Sequence, residues 1–505
     1  MPKQPRKIDL DRICGVAAAE TARALARQVR QALRLTRTVE LRLDWLRSDR
    51  ERSRFLTWLA RQRLRGNLIA TCRRQVAGGR FHGSVAAERR ILGAAVDAGC
   101  RWYDVEIESL ERNRDFSAIP GAQAIVSLHR FGRPVRDPGR LLRKLQRYPG
   151  ALGKLAVACD GLRDAVRLIR LARPALSGRS RPEGIITVPM GPVAPAIRLL
   201  ALREGSPLVY ASVDEPVAPG QTRLETTVRE YRAGEIGPET RVYGIIGNKV
   251  GKSISPAMHN AAFAARGLNA VFLPFLVPDL SDFLEVVAPL GLGGFSVTIP
   301  HKQAIVPRLD ACDRLAKRLA AVNTVVVRRG RLHGYNTDYA GVLDALRGKV
   351  RLEGARVLLV GAGGAARAAA FALGDAGARV SILARRPEQA RKLAMASGSV
   401  TAAREEIRRQ SFDLIVNATP VGMAPDRSAP LAPGELNAPA VFDMVYRPIA
   451  TPLLRMARAR GLRCISGVDM LVAQGVAQWE LWTGEKAPAR LMKRAALRAL
   501  RRDAE

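Results

Sequence analysis

No run of 18 consecutive apolar residues occurs in this 505-residue chain, so the sequence offers no membrane-spanning helix. The basic start, Met1 to Lys7, is followed by neither an apolar core nor a small-residue cleavage site, and no secretory signal is expected. Cysteine is sparse: Cys14, Cys72, Cys100, Cys159, Cys312 and Cys464 are scattered and form no C-x-x-C pair. That pattern argues against a disulfide framework or a zinc site; it fits reduced thiols in the cytoplasm, with no metal expected. Acidic residues are short of basic ones, 46 against 82, which leaves a formal net charge of +36. Such a surplus suits a polyanionic partner in principle. The arginines, however, are dispersed along helical faces (Arg163, Arg167, Arg170, Arg173), without a basic tail, an aromatic-interleaved patch or zinc-finger spacing. The expectation is a solvated basic surface with no specific nucleic-acid partner, and salt-sensitive polyanion binding only as a side effect.

What is present describes a globular α/β protein. The length suggests about three domains, and 47% hydrophobic content is enough for each to bury a core. The most informative stretch is Val357-Leu358-Leu359-Val360-Gly361-Ala362-Gly363-Gly364-Ala365-Ala366, an apolar strand entering a glycine turn from which an alanine-rich helix leaves. Gly361 permits the tight turn, Gly363 lets backbone approach a pyrophosphate, and small Ala366 lets helix and strand pack closely. Ala362, Gly364 and Ala365 complete the cradle, whose helix turns unpaired N–H groups toward phosphates. An ordinary tight βα turn is the plainer alternative. The next strand ends Ser381-Ile382-Leu383-Ala384-Arg385-Arg386, without the acid that would bind a ribose 2′-hydroxyl. Two guanidiniums there, Arg385 and Arg386, suit a 2′-phosphate, and NADP is the cofactor expected.

Residues 1–235 repeat one pattern, short β-branched runs alternating with amphipathic helices. Strands are expected at Ile13–Ala17, Thr38–Leu43, Leu68–Cys72, Trp102–Ile107, Ala124–Leu128, Lys154–Ala158, Gly184–Val188 and Leu208–Ser212. Eight such units match a (β/α)8 TIM barrel in number and size; two stacked open sheets are the alternative. Polar residues gather on the strands or just beyond them, where barrel chemistry sits. They are Glu40, Arg42 and Asp44, then Arg73 and Arg74, then His129, Lys154, Arg198 and Gln221. A lysine within Leu152-Gly153-Lys154-Leu155-Ala156-Val157 is costly unless used: desolvation would lower its pKa and make it a nucleophile toward a ketone. His129 titrates near neutrality and suits proton transfer. Taken singly, each is as readily a solvated rim residue.

The segments E-x-R-x-D at 40–44, T-C-R-R…G-G at 71–79, S-L-H at 127–129, G-K-L-A-V at 153–157, M-G…R at 190–198 and A-P-G-Q at 218–221 resemble type I 3-dehydroquinate dehydratases. The resemblance implies that Lys154 forms a Schiff base with the substrate ketone and that His129 moves the α-proton. It also implies that Arg198 binds the carboxylate while Glu40, Arg42, Arg73 and Gln221 hold hydroxyls. Two positions depart. Ala77 stands where the family has a glutamate that orients the histidine, and Val217 precedes A-P-G-Q where Ser or Thr is usual. Loss of that carboxylate predicts a slower dehydratase, by about 10- to 100-fold.

Polar, glycine- and proline-containing sequence near Arg229–Pro238 marks a boundary, read as a short hinge. Beyond it, Ser253 and Ser255 lie before a helix, as an anion site or as an N-cap with a spare serine. Ser296 and Thr298 share one strand face in Phe295-Ser296-Val297-Thr298-Ile299-Pro300-His301-Lys302. Lys302 with Asp338 is either a plain ion pair or a proton donor beside a reducing cofactor. The motifs S-I-S-P, S-V-T-I-P-H-K, A-V-N-T, N-T-D, G-A-G-G-A, N-A-T-P-V-G-M, F-D-M-V-Y and M-L-V-A-Q resemble shikimate dehydrogenase across residues 241–505. This implies Lys302 and Asp338 as the acid/base pair and Ser253, Ser255 and Tyr446 around a substrate carboxylate. Thr298, Asn323, Asp338 and Gln474 would meet hydroxyls, and Met444 and Gly467 would be further cofactor contacts. The family's usual N-R-T after the second cofactor strand is here Ala384-Arg385-Arg386, and its usual asparagine at 296 is serine.

The fold expected is therefore α/β: a TIM barrel (1–235), a substrate-binding domain (236–342, completed by 467–505) and a Rossmann NADP domain (343–466). The two resemblances imply consecutive reactions, 3-dehydroquinate to 3-dehydroshikimate and then to shikimate. Fusion raises local concentration without requiring a tunnel. The alternatives are a quinate/shikimate dehydrogenase using NAD, and a barrel retained as a catalytically silent ligand-binding module.

Overall fold

Strands made of Val, Ile, Leu and Ala that are buried on both faces need covering by helices, and strands and helices alternate along most of the chain, the antiparallel hairpin 324–335 being an exception. The computed structural model describes residues 9–62, 64–112, 119–132, 135, 137–148, 151–173 and 184–502; the basic stretch Met1–Lys7 lies outside them. The chain divides into two compact units, Met1–Arg241 with Asn269–Val271 and Phe275–Gly291, and Val242–Leu268 with Phe272–Pro274 and Leu292–Glu505.

The first unit holds β1 (Ile13–Ala17), β2 (Thr38–Arg42), β3 (Asn67–Thr71), β4 (Trp102–Glu106), β5 (Gln123–Arg130), β6 (Leu152–Ala158), β7 (Gly184–Met190) and β8 (Val209–Ser212). They form one parallel eight-stranded sheet in the order β7-β6-β5-β4-β3-β2-β1-β8, a near-closed barrel. Every residue of β1 to β4 is buried, including Glu40, Arg42, Asp104 and Glu106. Cys14, Ile69, Trp102, Ile125, Leu152 and Ile186 pack together as an apolar cluster. In β3 to β6 these residues lie two positions before Thr71, Asp104, Ser127 and Lys154, so the strand repeat puts each apolar side chain on the same face as a polar one. β5 runs further than its apolar stretch predicts, so His129 lies inside the strand; β6 begins at Leu152, making Lys154 its third residue.

The hinge expected near Arg229–Pro238 is corrected by the structure. Leu224, Tyr231, Ala233 and Ile236 are buried, and helical turns at Thr226–Glu230 and Ala233–Glu235 fold the segment onto the barrel. Arg12 donates to the Gly234 carbonyl at 3.2 Å. Four apolar anchors among the charges outweigh the glycine and proline signal, since burying them is worth more than loop freedom.

The second unit carries two six-stranded sheets. The first contains β9 (Arg241–Gly247), β10 (Ala270–Leu276), β11 (Leu292–Val297), β12 (Ala311–Cys312), β13 (Thr324–Arg328) and β14 (Arg331–Tyr335), in the order β10-β9-β11-β13-β14-β12. The second contains β15 (Arg356–Val360), β16 (Arg379–Leu383), β17 (Val400–Thr401), β18 (Leu414–Asn417), β19 (Ala440–Asp443) and β20 (Arg463–Ser466). It is parallel in the order β17-β16-β15-β18-β19-β20, the doubly wound arrangement in which ligands bind beyond the strand C-termini. Helix Gly467–Thr483 returns from this sheet and packs against β11 and β13 of the other. Ser296 and Trp482 mark that return: Ser296 Oγ donates to Gln478 Oε1 at 3.0 Å, and the Trp482 indole donates to the Val325 carbonyl at 3.0 Å.

Candidate active sites

In the barrel, parallel register sets the site. Thr71 pairs with Asp104 across β3 and β4, Glu106 with Ser127 across β4 and β5, and Ser127 with Lys154 across β5 and β6. Neighbouring inward positions at one level therefore bring together charges that are far apart in the chain. Lys154 Nζ donates to Asp104 Oδ2 at 2.9 Å, stands 3.6 Å from Glu40 Oε1 and lies 4.1 Å from the centre of the Tyr210 ring. The nucleophile candidate, set in an apolar strand, is thus buried among carboxylates. Burial alone would raise Asp104, but Arg73 and Lys154 outweigh it and hold the carboxyl well below its usual range. Asp104 also accepts from Arg73 Nη2 at 2.7 Å and Ser127 Oγ at 2.8 Å.

His129 meets a second carboxylate from the same strand, with Nδ1 2.5 Å from Glu106 Oε1. Arg73 pairs with Glu106 as well, and its Nη1 lies 3.2 Å from His129 Nδ1. Burial, reinforced by the charges of Arg73 and Lys154, pushes the imidazole well below its ordinary value, so it stands neutral at pH 7. The expectation that Ala77 leaves the histidine without a carboxylate is corrected here, since β4 supplies one. Asp104 and Glu106 were missed in the sequence. Their signal was available: two acids at alternating positions in the buried run Trp102-Tyr103-Asp104-Val105-Glu106, the same oddity that singles out Lys154.

The remaining barrel candidates divide into two groups. Glu40 accepts from Thr71 Oγ1 at 2.8 Å, and Arg42 forks onto Asp44 at 2.9 and 2.8 Å, beside the lysine. Arg198 and Gln221 belong to the β7–β8 side. Arg198 donates to the carbonyls of Pro189 at 2.7 Å and Pro219 at 2.6 Å, and Gln221 Oε1 accepts from the Val217 amide at 3.0 Å. Burial pushes the Arg198 guanidinium down to about 10. Arg198 has no carboxylate partner among the described residues, as a guanidinium kept for an anionic ligand would be. The Val217 contact is through backbone, so the bond does not depend on a hydroxyl at that position.

In the second unit, Lys302 is the second residue of the short helix His301–Ala304 after β11, and its Nζ pairs with Asp338 Oδ2 at the first turn of helix Asp338–Leu346. Asn323 Nδ2 donates to Asp338 Oδ1 at 2.8 Å and Thr337 Oγ1 at 2.9 Å, which fixes the carboxylate plane. Gln474 lies against Gly341, one turn along that helix, and its amide donates to the Leu471 carbonyl at 2.8 Å. Ser253 Oγ accepts from the Ser255 amide at 3.2 Å and bonds the Tyr446 phenol, which burial pushes up. Thr298 stands against Gly247, at the end of β9.

The glycine turn reaches this group directly. A Cβ on Gly364 would meet Cβ and Cδ of Lys302 at 3.1 Å, so the glycine lets the turn lie close against the lysine stem. Gly361, at φ +122°, lies against Ala418 and Thr419, and buried Ala366 packs into the core that contains Leu359. Gly363 caps helix Gly364–Asp375 without a side-chain hydrogen bond, leaving first-turn N–H groups for an anion. Ala362 and Ala365 are half-buried beside them. A Cβ on Gly467 would run into the Met444 carbonyl, so these two residues adjoin where β19 and β20 end. Arg385 and Arg386 are exposed beyond β16 and form no ion pair among the described residues. A phosphate-bearing dinucleotide fits this set: a side-chain-free helix cap for the pyrophosphate and two uncommitted guanidiniums where the ribose would lie.

Comparison with known proteins follows this division. Family models match for type I 3-dehydroquinase at residues 13–237, the shikimate dehydrogenase substrate binding domain at 245–325 and the shikimate 5′-dehydrogenase C-terminal domain at 467–497. A model for an FAD binding domain matches residues 356–435, which contain the glycine turn. The chain is 32% identical over 481 residues to the chloroplastic bifunctional 3-dehydroquinate dehydratase/shikimate dehydrogenase of Arabidopsis thaliana, covering 90% of this chain and 78% of that protein. It is 47% identical over 274 residues to the shikimate dehydrogenase (NADP(+)) of Citrifermentans bemidjiense, covering 51% of this chain and 94% of that protein. A solved structure of shikimate 5-dehydrogenase from Thermus thermophilus, in complex with NADP(H) and shikimate, matches at 39% identity and a TM-score of 0.48, covering 52% of this chain and all of that one.

Proposed function

The chain belongs to the bifunctional 3-dehydroquinate dehydratase/shikimate dehydrogenase family, and from that premise we propose how its two sites divide the work. It is a lyase and an NADP-dependent oxidoreductase of the shikimate pathway. The reading of the sites is carried by one observation: each half holds its own lysine–carboxylate centre, Lys154 with Asp104 and Lys302 with Asp338.

In the barrel, Lys154 Nζ attacks the ketone of 3-dehydroquinate and, after loss of water, holds the substrate as a protonated Schiff base. Neutral His129 removes the adjacent proton, and the imidazolium so formed protonates the departing hydroxyl, which leaves as water. Hydrolysis of the Schiff base then releases 3-dehydroshikimate and restores the amine. Arg198 is assigned to the substrate carboxylate; Glu40, Arg42, Arg73 and Gln221 are assigned to its hydroxyls. The ion pairs of Arg42 and Arg73 make them organisers of the site as much as ligands.

In the second unit, bound NADPH supplies the reducing equivalent. Lys302 donates a proton to the oxygen that becomes the new hydroxyl, and Asp338 keeps the ammonium aimed. Ser253, Ser255 and Tyr446 form the carboxylate subsite; Thr298, Asn323 and Gln474 complete the polyol contacts. Gly361, Ala362, Gly363, Gly364 and Ala365 hold the pyrophosphate, Arg385 and Arg386 the 2′-phosphate, and Met444 with Gly467 the far end of the dinucleotide. The domains proposed are 1–235, 236–342 with 467–505, and 343–466, each built on one of the three sheets. No helix among the described residues is long and apolar enough to cross a membrane. Six free thiols, four of them buried, support a cytoplasmic setting. Supplying 3-dehydroquinate and NADPH together and assaying shikimate tests the whole reading; accumulation of neither product would overturn it.

A further inference from the structure

The glycine loop beside the barrel histidine carries Ala77 and so offers that ring no carboxylate. What the loop does offer is a surface for Phe131. A Cβ on Gly78 would meet Phe131 Cζ at 2.5 Å, and Phe131 stacks on His129 with centroids 5.7 Å apart and planes at 18°. On its polar side the ring meets both Arg73, 3.2 Å from Nδ1, and Glu106 of β4. Glu106 is buried, lies two residues beyond Asp104 so that both face the same interior, and approaches Nδ1 to 2.5 Å.

We propose that Glu106 is a positioning residue that holds His129 as the Nδ1–H tautomer and leaves Nε2 as the base. This rests on the reading of the barrel as the dehydratase. Arg73 competes for the same nitrogen: its Nη1 is 3.2 Å from Nδ1, and donation from it would demand the opposite tautomer. Arg73 is already committed to Asp104 and Glu106, and an N–H held by a carboxylate is the stronger, shorter contact. Proton accounting is closed. Nε2 takes the substrate proton, Nδ1–H remains on the ring facing Glu106, and the same Nε2 proton leaves with the hydroxyl as water. Glu106 neither gains nor loses a proton, and its negative charge steadies the transient imidazolium.

Two measurements test this. In Glu106→Gln, dehydratase kcat should fall about 10- to 100-fold, with KM changed by less than about twofold and borohydride still trapping substrate on Lys154. Shikimate dehydrogenase activity in the same chain should be unchanged and reports folding. The second measurement needs no variant: nitrogen NMR of the five histidines, with the His129 signal identified by its absence in His129→Gln, should show the Nδ1–H tautomer. An Nε2–H tautomer in the unmodified protein, or full turnover in Glu106→Gln, overturns the proposal. If the variant loses trapping together with turnover, the tautomer of the unmodified chain decides. Absence of any Lys154 adduct in the unmodified protein would instead overturn the dehydratase reading itself.

Discussion

Lys154 and Lys302, assigned opposite jobs, stand in different surroundings. Lys154 sits inside a parallel barrel with carboxylates at 2.9 and 3.6 Å, an aromatic face and a neutral histidine nearby, all drawn from strands β2, β4, β5, β6 and β8. Among the described residues, Lys302 has a single carboxylate partner, from one helix terminus, and leans its stem on a glycine of the cofactor turn. A nucleophile that becomes covalently attached must be held where water cannot compete and where the charge it carries before and after attack is balanced. A proton donor needs only to stay charged, aimed and adjacent to the cofactor. Burial with several counter-charges serves the first role, a lysine–aspartate pair beside the cofactor turn the second.

The sharpest way to separate the two centres is Lys154→Ala. Dehydratase activity should fall by about 10⁴-fold or more, as when the acting member of a covalent mechanism is removed. Reduction of 3-dehydroshikimate should be untouched; residual dehydratase turnover near the unmodified rate would break the contrast. The reciprocal change, Lys302→Ala, should lower dehydrogenase kcat about 10²- to 10⁴-fold, the range of general acid–base catalysis. Fed 3-dehydroquinate and NADPH, that variant should stop at 3-dehydroshikimate, and continued formation of shikimate would remove Lys302 from its assigned role. A smaller effect tests the cofactor. Arg385→Ala should raise the NADPH KM about 10- to 100-fold, the worth of a charge-assisted phosphate contact, and leave that for NADH nearly unchanged. Equal effects on both cofactors would show that the arginine does not read the 2′-phosphate.

Smaller still is a pH effect present in both halves. His129 in the barrel and His259 in the second unit are buried neutral, and burial pushes His259 down to about 3. Both folded values lie below that of an unfolded histidine, so below about pH 6.5 the unfolded chain binds more protons and stability falls. The loss is about 1.4 kcal/mol per pH unit for each such group until its folded value is reached. His259 packs on Phe272 and Trp482, with ring centroids 4.5 and 5.3 Å away, so indole fluorescence during denaturation reads its side of the molecule. His259→Phe should flatten the decline between pH 7 and pH 4 by that amount. Parallel curves for variant and parent would refute the assignment. Catalysis carries the same sign: as the proposed base, His129 acts only when neutral, so the acid limb of the dehydratase profile should fall below the ordinary imidazole value.

The order of elements and the type of each sheet were legible in the sequence because they are written locally. Val357–Val360 followed by glycines predicts a strand, turn and helix without reference to anything distant, and all three are found. Eight β-branched runs at regular spacing likewise predict the barrel strands to within a residue or two at most ends. The segment near Arg229–Pro238 was misread because composition does not reveal that Leu224, Tyr231 and Ile236 find a common burial site. Asp104 and Glu106 escaped for a related reason: an acid in a strand acquires meaning only from what lies across the sheet.

By itself, then, the sequence determined the fold class and singled out the two lysines, the histidine and the arginine pair that suits NADP. Each rests on a short-range pattern or a motif of fixed spacing. Only the tertiary structure decided which charges face one another. Lys154 and Asp104 are 50 residues apart and meet because strand register sets them at one level of the barrel. Whether a buried amine faces carbon or carboxylate, and which carboxylate steers a histidine, depends on the distances and shared low dielectric that parallel strands impose.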